Sequence, residues 1–265
     1  MRWRLLVAVA VVLTAGCGSL AGGSSGTDTL TPVPVPETTP TPDQWPVAPG
    51  LTGDAVADRG ALVAAHRAAT ADRSYVWRER RGSTAGNGSV PLFDRAVATV
   101  ESDSKYHVRV ADDRVRLDTV LTNVAEYAEY ADGAERVVRY RHVGQSASQY
   151  RRRSPVDASR NRQIGLRAGD AIDRYLAVER ATVAAVSVDD RRHYEVVGRD
   201  WTRGDDRVTD YVAVALVSPE GFVRSLDVSY TVRSVSQPRR VRYSFTYEGI
   251  NETTVDPPDW DDGDG

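Results

Sequence analysis

Leu226-Asp227-Val228-Ser229-Tyr230-Thr231-Val232 and, a short way on, Val241-Arg242-Tyr243-Ser244-Phe245-Thr246-Tyr247-Glu248 decide the fold class. In both stretches an apolar or aromatic residue alternates with a polar one. Successive strand side chains point to opposite faces, so this period of two specifies strands with one buried and one wet face. β-branched and aromatic residues fit such a pleated, half-buried surface. Strands of this kind belong to antiparallel sheets.

The same alternation recurs upstream. Tyr106, Val108 and Val110 stand against Lys105, His107 and Arg109. Val115 and Leu117 alternate with Arg114 and Arg116 after an Asp112-Asp113 turn, and Val138 and Tyr140 alternate with Val137, Arg139 and Arg141. Ser218-Pro219-Glu220-Gly221 reads as the turn joining a strand at 208–217 to one at 222–233, and Asp189-Asp190 as the turn after 182–188. Two stretches have helical spacing instead. Asp58 is placed to cap a helix running to about Ala71, with Leu62, Ala65, His66 and Ala69 on one face, and Ile172, Tyr175 and Leu176 mark a second helix at 170–179. A sheet this large curls rather than staying flat. The expected architecture is α+β: a large curved antiparallel sheet, a half-barrel of roughly ten strands, with an N-terminal helix and a second helix near 170–179.

The first fifty residues are composed differently. Met1-Arg2-Trp3-Arg4 is basic, Leu5 to Leu13 is continuously apolar, and Thr14-Ala15-Gly16 leads into Cys17, the only cysteine of the 265 residues. An apolar run of this length is too short to cross a bilayer, which needs about 20 residues, and reads as a signal peptide. With one cysteine, no intrachain disulfide is possible. Residues 18–50 are Gly/Ser-rich and then Thr/Pro-rich. Proline there removes backbone donors and fixes φ, so the segment is a spacer that samples polyproline II. The organisation read from this is a signal peptide at 1–16, a tether at 17–50, one globular domain at 51–256 and an acidic tail at 257–265.

Leu13-Thr14-Ala15-Gly16-Cys17 resembles the lipobox of bacterial and archaeal lipoproteins, with the leucine one place earlier than usual. The resemblance implies a lipid on Cys17 and a chain held at the extracytoplasmic face of the membrane. The Leu62-Val63-Ala64-Ala65-His66-Arg67-Ala68-Ala69 helix, the Ser218–Arg224 hairpin and the Val255-Asp256-Pro257-Pro258-Asp259-Trp260 close are similar to uncharacterised surface lipoproteins of halophilic archaea. The succession of helix, long strands, helix and final hairpins resembles the LolA/LppX-like lipoprotein-carrier fold. That fold implies a lipid or other hydrophobic ligand in the concave face of the sheet, and Trp77, Tyr140, Tyr230, Tyr243 and Phe245 are candidates to line it. Such rings serve equally as ordinary core. The alternative is a structural or protein-interaction module of the cell envelope with a filled core.

Composition and motifs narrow the chemistry. The net charge of −3 argues against a nucleic-acid partner, which needs a concentrated basic face. Lys105 is the only lysine, so Schiff-base chemistry has one candidate residue. His66, His107, His142 and His193 are dispersed, with no metal-ligand spacing, and no nucleophile elbow or phosphate-binding loop is present. The expectation is a non-enzyme with no cofactor and no metal. Asn87-Gly88-Ser89 and Asn251-Glu252-Thr253 are candidate N-glycosylation sites at Asn87 and Asn251. Tyr150-Arg151-Arg152-Arg153, with Arg160 and Arg162, is the one basic run, suited either to anionic headgroups or to plain solvation.

Overall fold

Alternation along the chain becomes a sheet whose two faces differ in what covers them. The computed structural model describes residues 45–86, 88–111, 123–153 and 159–260. A short hairpin of β1 (Pro46–Ala48) and β2 (Leu51–Thr52) precedes α1 (Arg59–Thr70). Six strands follow: β3 (Tyr75–Ala85), β4 (Phe93–Val100), β5 (Lys105–Val110), β6 (Val124–Asp132), β7 (Arg136–His142) and β8 (Gln149–Arg153). After α2 (Ser159–Tyr175) come β9 (Val178–Val188), β10 (Arg191–Trp201), β11 (Val208–Val217), β12 (Val223–Val232) and β13 (Arg239–Glu248).

All eleven long strands join one antiparallel sheet in the order β8-β7-β6-β5-β4-β3-β13-β12-β11-β10-β9. The chain starts at the centre with β3 and meanders outward to β8. It crosses to the far edge through α2, then meanders back until β13 pairs with β3. The sheet is open, with β8 and β9 as its edges. The class is α+β, as the alternation requires.

Side chains on one face of the sheet form the core beneath the two helices. Tyr75 and Trp77 on β3, Tyr243, Phe245 and Tyr247 on β13, Leu226 and Val228 on β12, and Ala213 and Ala215 on β11 are all buried there with Leu62, Ile172 and Leu176. α1 begins where Asp58 accepts a hydrogen bond from the Ala61 N–H at 3.0 Å, the N-cap expected from sequence. The β11–β12 turn packs against it: Gly221 has φ +88°, and a Cβ there would lie 2.6 Å from the Ala65 methyl. Only glycine fits both the left-handed backbone and the close approach. Asp189 and Asp190, with φ of +52° and +57°, form the two-residue turn between β9 and β10.

Two readings shift, and others lie outside the described residues. α2 starts at Ser159 and ends at Tyr175, earlier than 170–179, because arginines hide an apolar stripe whose members include the weak signals Ala168 and Ala171. Packed structure also runs beyond 51–256. Ala48 is buried in the hairpin at the start, and at the end Trp260 packs on the sheet. The strand expected around Val115 and Leu117 lies outside the described residues, as do Cys17, most of the tether and Asn87.

His66 pins α1 to the sheet. It is fully buried, stacked on Phe222 at 5.6 Å and edge-on to Tyr247 at 5.4 Å. The Val223 N–H donates to its Nδ1 at 3.2 Å, so the neutral ring carries its proton on Nε2, which faces the Tyr247 hydroxyl at 3.3 Å. Burial, with Arg67 adding, pushes its pKa down to about 3. Above pH 6.5 the ring is neutral in both states and contributes no pH dependence. Between about 6.5 and 3 the unfolded chain binds a proton that the folded one does not, so stability falls with falling pH. Urea titrations of wild type against His66→Gln therefore show an extra loss of about 1.4 kcal/mol per pH unit in the wild type over that window. Equal slopes in the two proteins count against a neutral, buried imidazole.

Candidate functional site

The five rings proposed as ligand lining do not share one environment. Trp77 and Phe245 are enclosed at the centre of the core, with the Arg167 guanidinium of α2 5.9 Å from the Trp77 ring. Tyr243 is buried against Tyr175 of α2, ring centroids 4.7 Å apart. Tyr230 is half-buried beside Trp201 at 5.6 Å, and Trp201 stacks on Tyr211 at 5.2 Å. Tyr140 lies apart from these, on β7. Its hydroxyl donates to Gln149 Oε1 at 2.7 Å and the Arg151 guanidinium sits 5.2 Å over its ring. Trp77, Tyr243 and Phe245 are thus packed by protein side chains. Asn251 is exposed in the turn after β13, where its own N–H donates to the Ser74 carbonyl.

The helix-covered face also contains buried charge. Glu129 on β6 is almost inaccessible and accepts from the Tyr106 hydroxyl at 2.7 Å, from the Tyr127 hydroxyl and from Arg136 Nη1 at 3.1 Å. Glu79 on β3 pairs with Arg167 of α2. These contacts compensate carboxylates removed from water. Among the described residues no group of three or more His, Cys, Asp or Glu is placed to hold a metal ion.

A groove lies over the opposite, open face across β4 to β7, with a volume of about 330 Å³. Its geometry follows from strand register. Across β3 to β8, Arg78, Val97, Arg109, Ala128, Arg139 and Tyr150 are consecutive partners, so they form one row on the open face. The row lining the groove's other side carries Arg95, Glu126 and Arg141. Between them, Ala96, Val110, Tyr127 and Tyr140 turn their buried side chains to the helices and present backbone to the groove.

The charges of the groove are unevenly matched. Asp94 is engaged by Arg78 at 2.5 Å, and Glu126 by Arg141. The Arg141 hydrogen bond holds the Glu126 carboxyl below its ordinary pKa, with Arg139 contributing. Among the described residues neither Arg109 nor Arg139 has a carboxylate within ion-pair distance. The C-terminal segment reaches this side of the molecule: Val255 N–H donates to Glu101 Oε2 at 2.9 Å. The Trp260 ring then lies 5.6 Å from the Arg139 guanidinium and 6.0 Å from His107. Burial, followed by the charges of Arg109 and Arg139, pushes the His107 pKa down to about 4.

Sequence reading found the basic run at 150–153 but not this cluster, whose arginines come from separate strands. Register alone brings them into one row, and alternation in a single strand does not reveal which strand is its neighbour. Arg152, from the visible run, pairs with Glu135 at 3.6 Å, an exposed ion pair of little energetic weight.

Fold and groove together define a mostly β protein built on one large sheet, with a filled helix-covered face and an arginine-lined groove on the open one. No family model matches the chain, and no curated protein matches it.

Proposed function

We propose that this chain is a membrane-anchored extracytoplasmic lipoprotein, attached through a lipid on Cys17, that binds a lipid or other amphiphilic ligand and catalyses no reaction. The resemblance to haloarchaeal surface lipoproteins and to the lipoprotein-carrier fold supports this reading. The observation that carries the binding role is the open-face groove, where small apolar residues alternate with arginines. Its volume is at the lower end for small-molecule sites, which suits a headgroup or a small amphiphile. The site proposed is therefore the open face rather than the rings under the helices.

A second reading rests on the filled core. Trp77, Phe245 and Tyr247 are fully buried, as expected of a structural or interaction module of the cell envelope whose work is done by its surface. Native mass spectrometry of the full chain, extracted from membranes in mild detergent, separates the two. The binding role predicts a discrete co-purifying mass, lost on denaturation and lost from Ala128→Trp, which fills the groove. An apo mass in wild type, with no uptake of added lipid, sinks it and leaves the interaction module.

A further inference from the structure

We infer that the open-face groove recognises a phosphate-bearing anion, gripped from opposite sides by Arg109 and Arg139. The inference rests on the binding role proposed above and specifies the chemistry of the ligand. Arg109 on β5 and Arg139 on β7 are both register partners of Ala128 on the strand between them. Their Cα atoms are therefore two strands apart, about 10 Å. Ala128 between them is 5% exposed and contributes only a methyl to the groove lining.

Among the described residues, Arg78, Arg109, Arg139 and Arg141 stand here with two carboxylates, Asp94 and Glu126. Those carboxylates are held by Arg78 and Arg141, and among the described residues Arg109 and Arg139 have no carboxylate partner. Desolvated imidazole at His107 stays neutral beside them, which accords with a positive local potential. Trp260 against Arg139 limits where that guanidinium can go, and a cation–π contact of this kind leaves its N–H edges able to donate. Pre-positioning lowers the ordering cost that a free arginine incurs on binding.

Shape separates phosphate from carboxylate. A carboxylate meets one arginine fork in its own plane along its syn edge, which leaves only its anti lone pairs for a second donor. A phosphate ester presents oxygens on several sides and accepts forks from two directions, as this pair of strands supplies them. The groove is small, so the anion enters as a headgroup or as a free ion, with acyl chains remaining outside.

Isothermal titration of the full chain in a neutral sugar detergent tests this with three probes: inorganic phosphate, dihexanoyl phosphatidylglycerol and uncharged dihexanoylglycerol. Phosphatidylglycerol binds, dihexanoylglycerol does not, and added salt weakens the binding. Arg109→Gln and Arg139→Gln each lose about tenfold in affinity or more, as expected for a hydrogen bond to a charged group. Arg109→Lys falls between, because it keeps the charge and loses the fork. Arg180→Gln, on β9 and paired with Asp200, leaves affinity unchanged. Phosphatidylglycerol at least about tenfold tighter than phosphate assigns a lipid headgroup; equal affinities assign the free ion. Both affirm the anion site. If the double variant Arg109→Gln/Arg139→Gln binds as wild type does, or if phosphate probes fail while a ligand still co-purifies, the anion site is overturned and the binding role stands. An apo protein that ignores all three probes overturns both.

Discussion

Trp77→Ala lowers the unfolding free energy by about 3–5 kcal/mol, with the urea m-value unchanged. The size follows from position. Trp77 is 1% exposed on β3, the strand in the middle of the sheet, with Tyr247 and Ala98 as its register partners and Arg167 of α2 close to its ring. Truncation leaves a cavity between sheet and helix that strands hydrogen-bonded on both sides are poorly able to close. Trp77→Phe costs much less, since the buried indole Nε1 has no hydrogen-bond partner among the described residues and its removal relieves an unsatisfied donor. Tyr230→Ala, at a half-buried position, stays nearer the 1 kcal/mol centre of ordinary substitutions. A loss under about 1 kcal/mol for Trp77→Ala speaks for a ring facing a ligand space rather than packed core.

Glu129→Ala destabilises by a similar amount, about 3–5 kcal/mol, for a different reason. It strands Arg136, whose side chain is 7% exposed, as an uncompensated buried charge, and it removes the acceptor of the Tyr106 and Tyr127 hydroxyls. The double change Glu129→Met/Arg136→Leu recovers most of the loss, because it removes the desolvation cost of both ions together. Chemical denaturation of the wild type, Glu129→Met, Arg136→Leu and the double variant completes the cycle. A double variant no more stable than Glu129→Ala shows that the pair contributes more than mutual compensation.

Much of this fold was legible in the sequence because its signals are local. Asp58 caps α1, Ser218–Gly221 turns β11 into β12, and Val241 to Tyr247 alternate as written, since each depends on a few neighbouring residues. α2 was half legible: Ile172, Tyr175 and Leu176 announce its end, while arginines conceal its start. Of the candidate site, alternation identified rings such as Tyr243 and Phe245 as inward-facing but not what would face them. The helices that cover them come from elsewhere in the chain.

Sequence by itself determined the antiparallel, two-faced character of the sheet, since side-chain direction along a strand is set by backbone geometry alone. Tertiary structure alone decided that the first long strand pairs with the last, β3 with β13, and that Arg109, Ala128 and Arg139 stand side by side. Those pairings join residues far apart in the chain. Their partners are selected by packing of the whole core, and no short stretch of sequence carries that information.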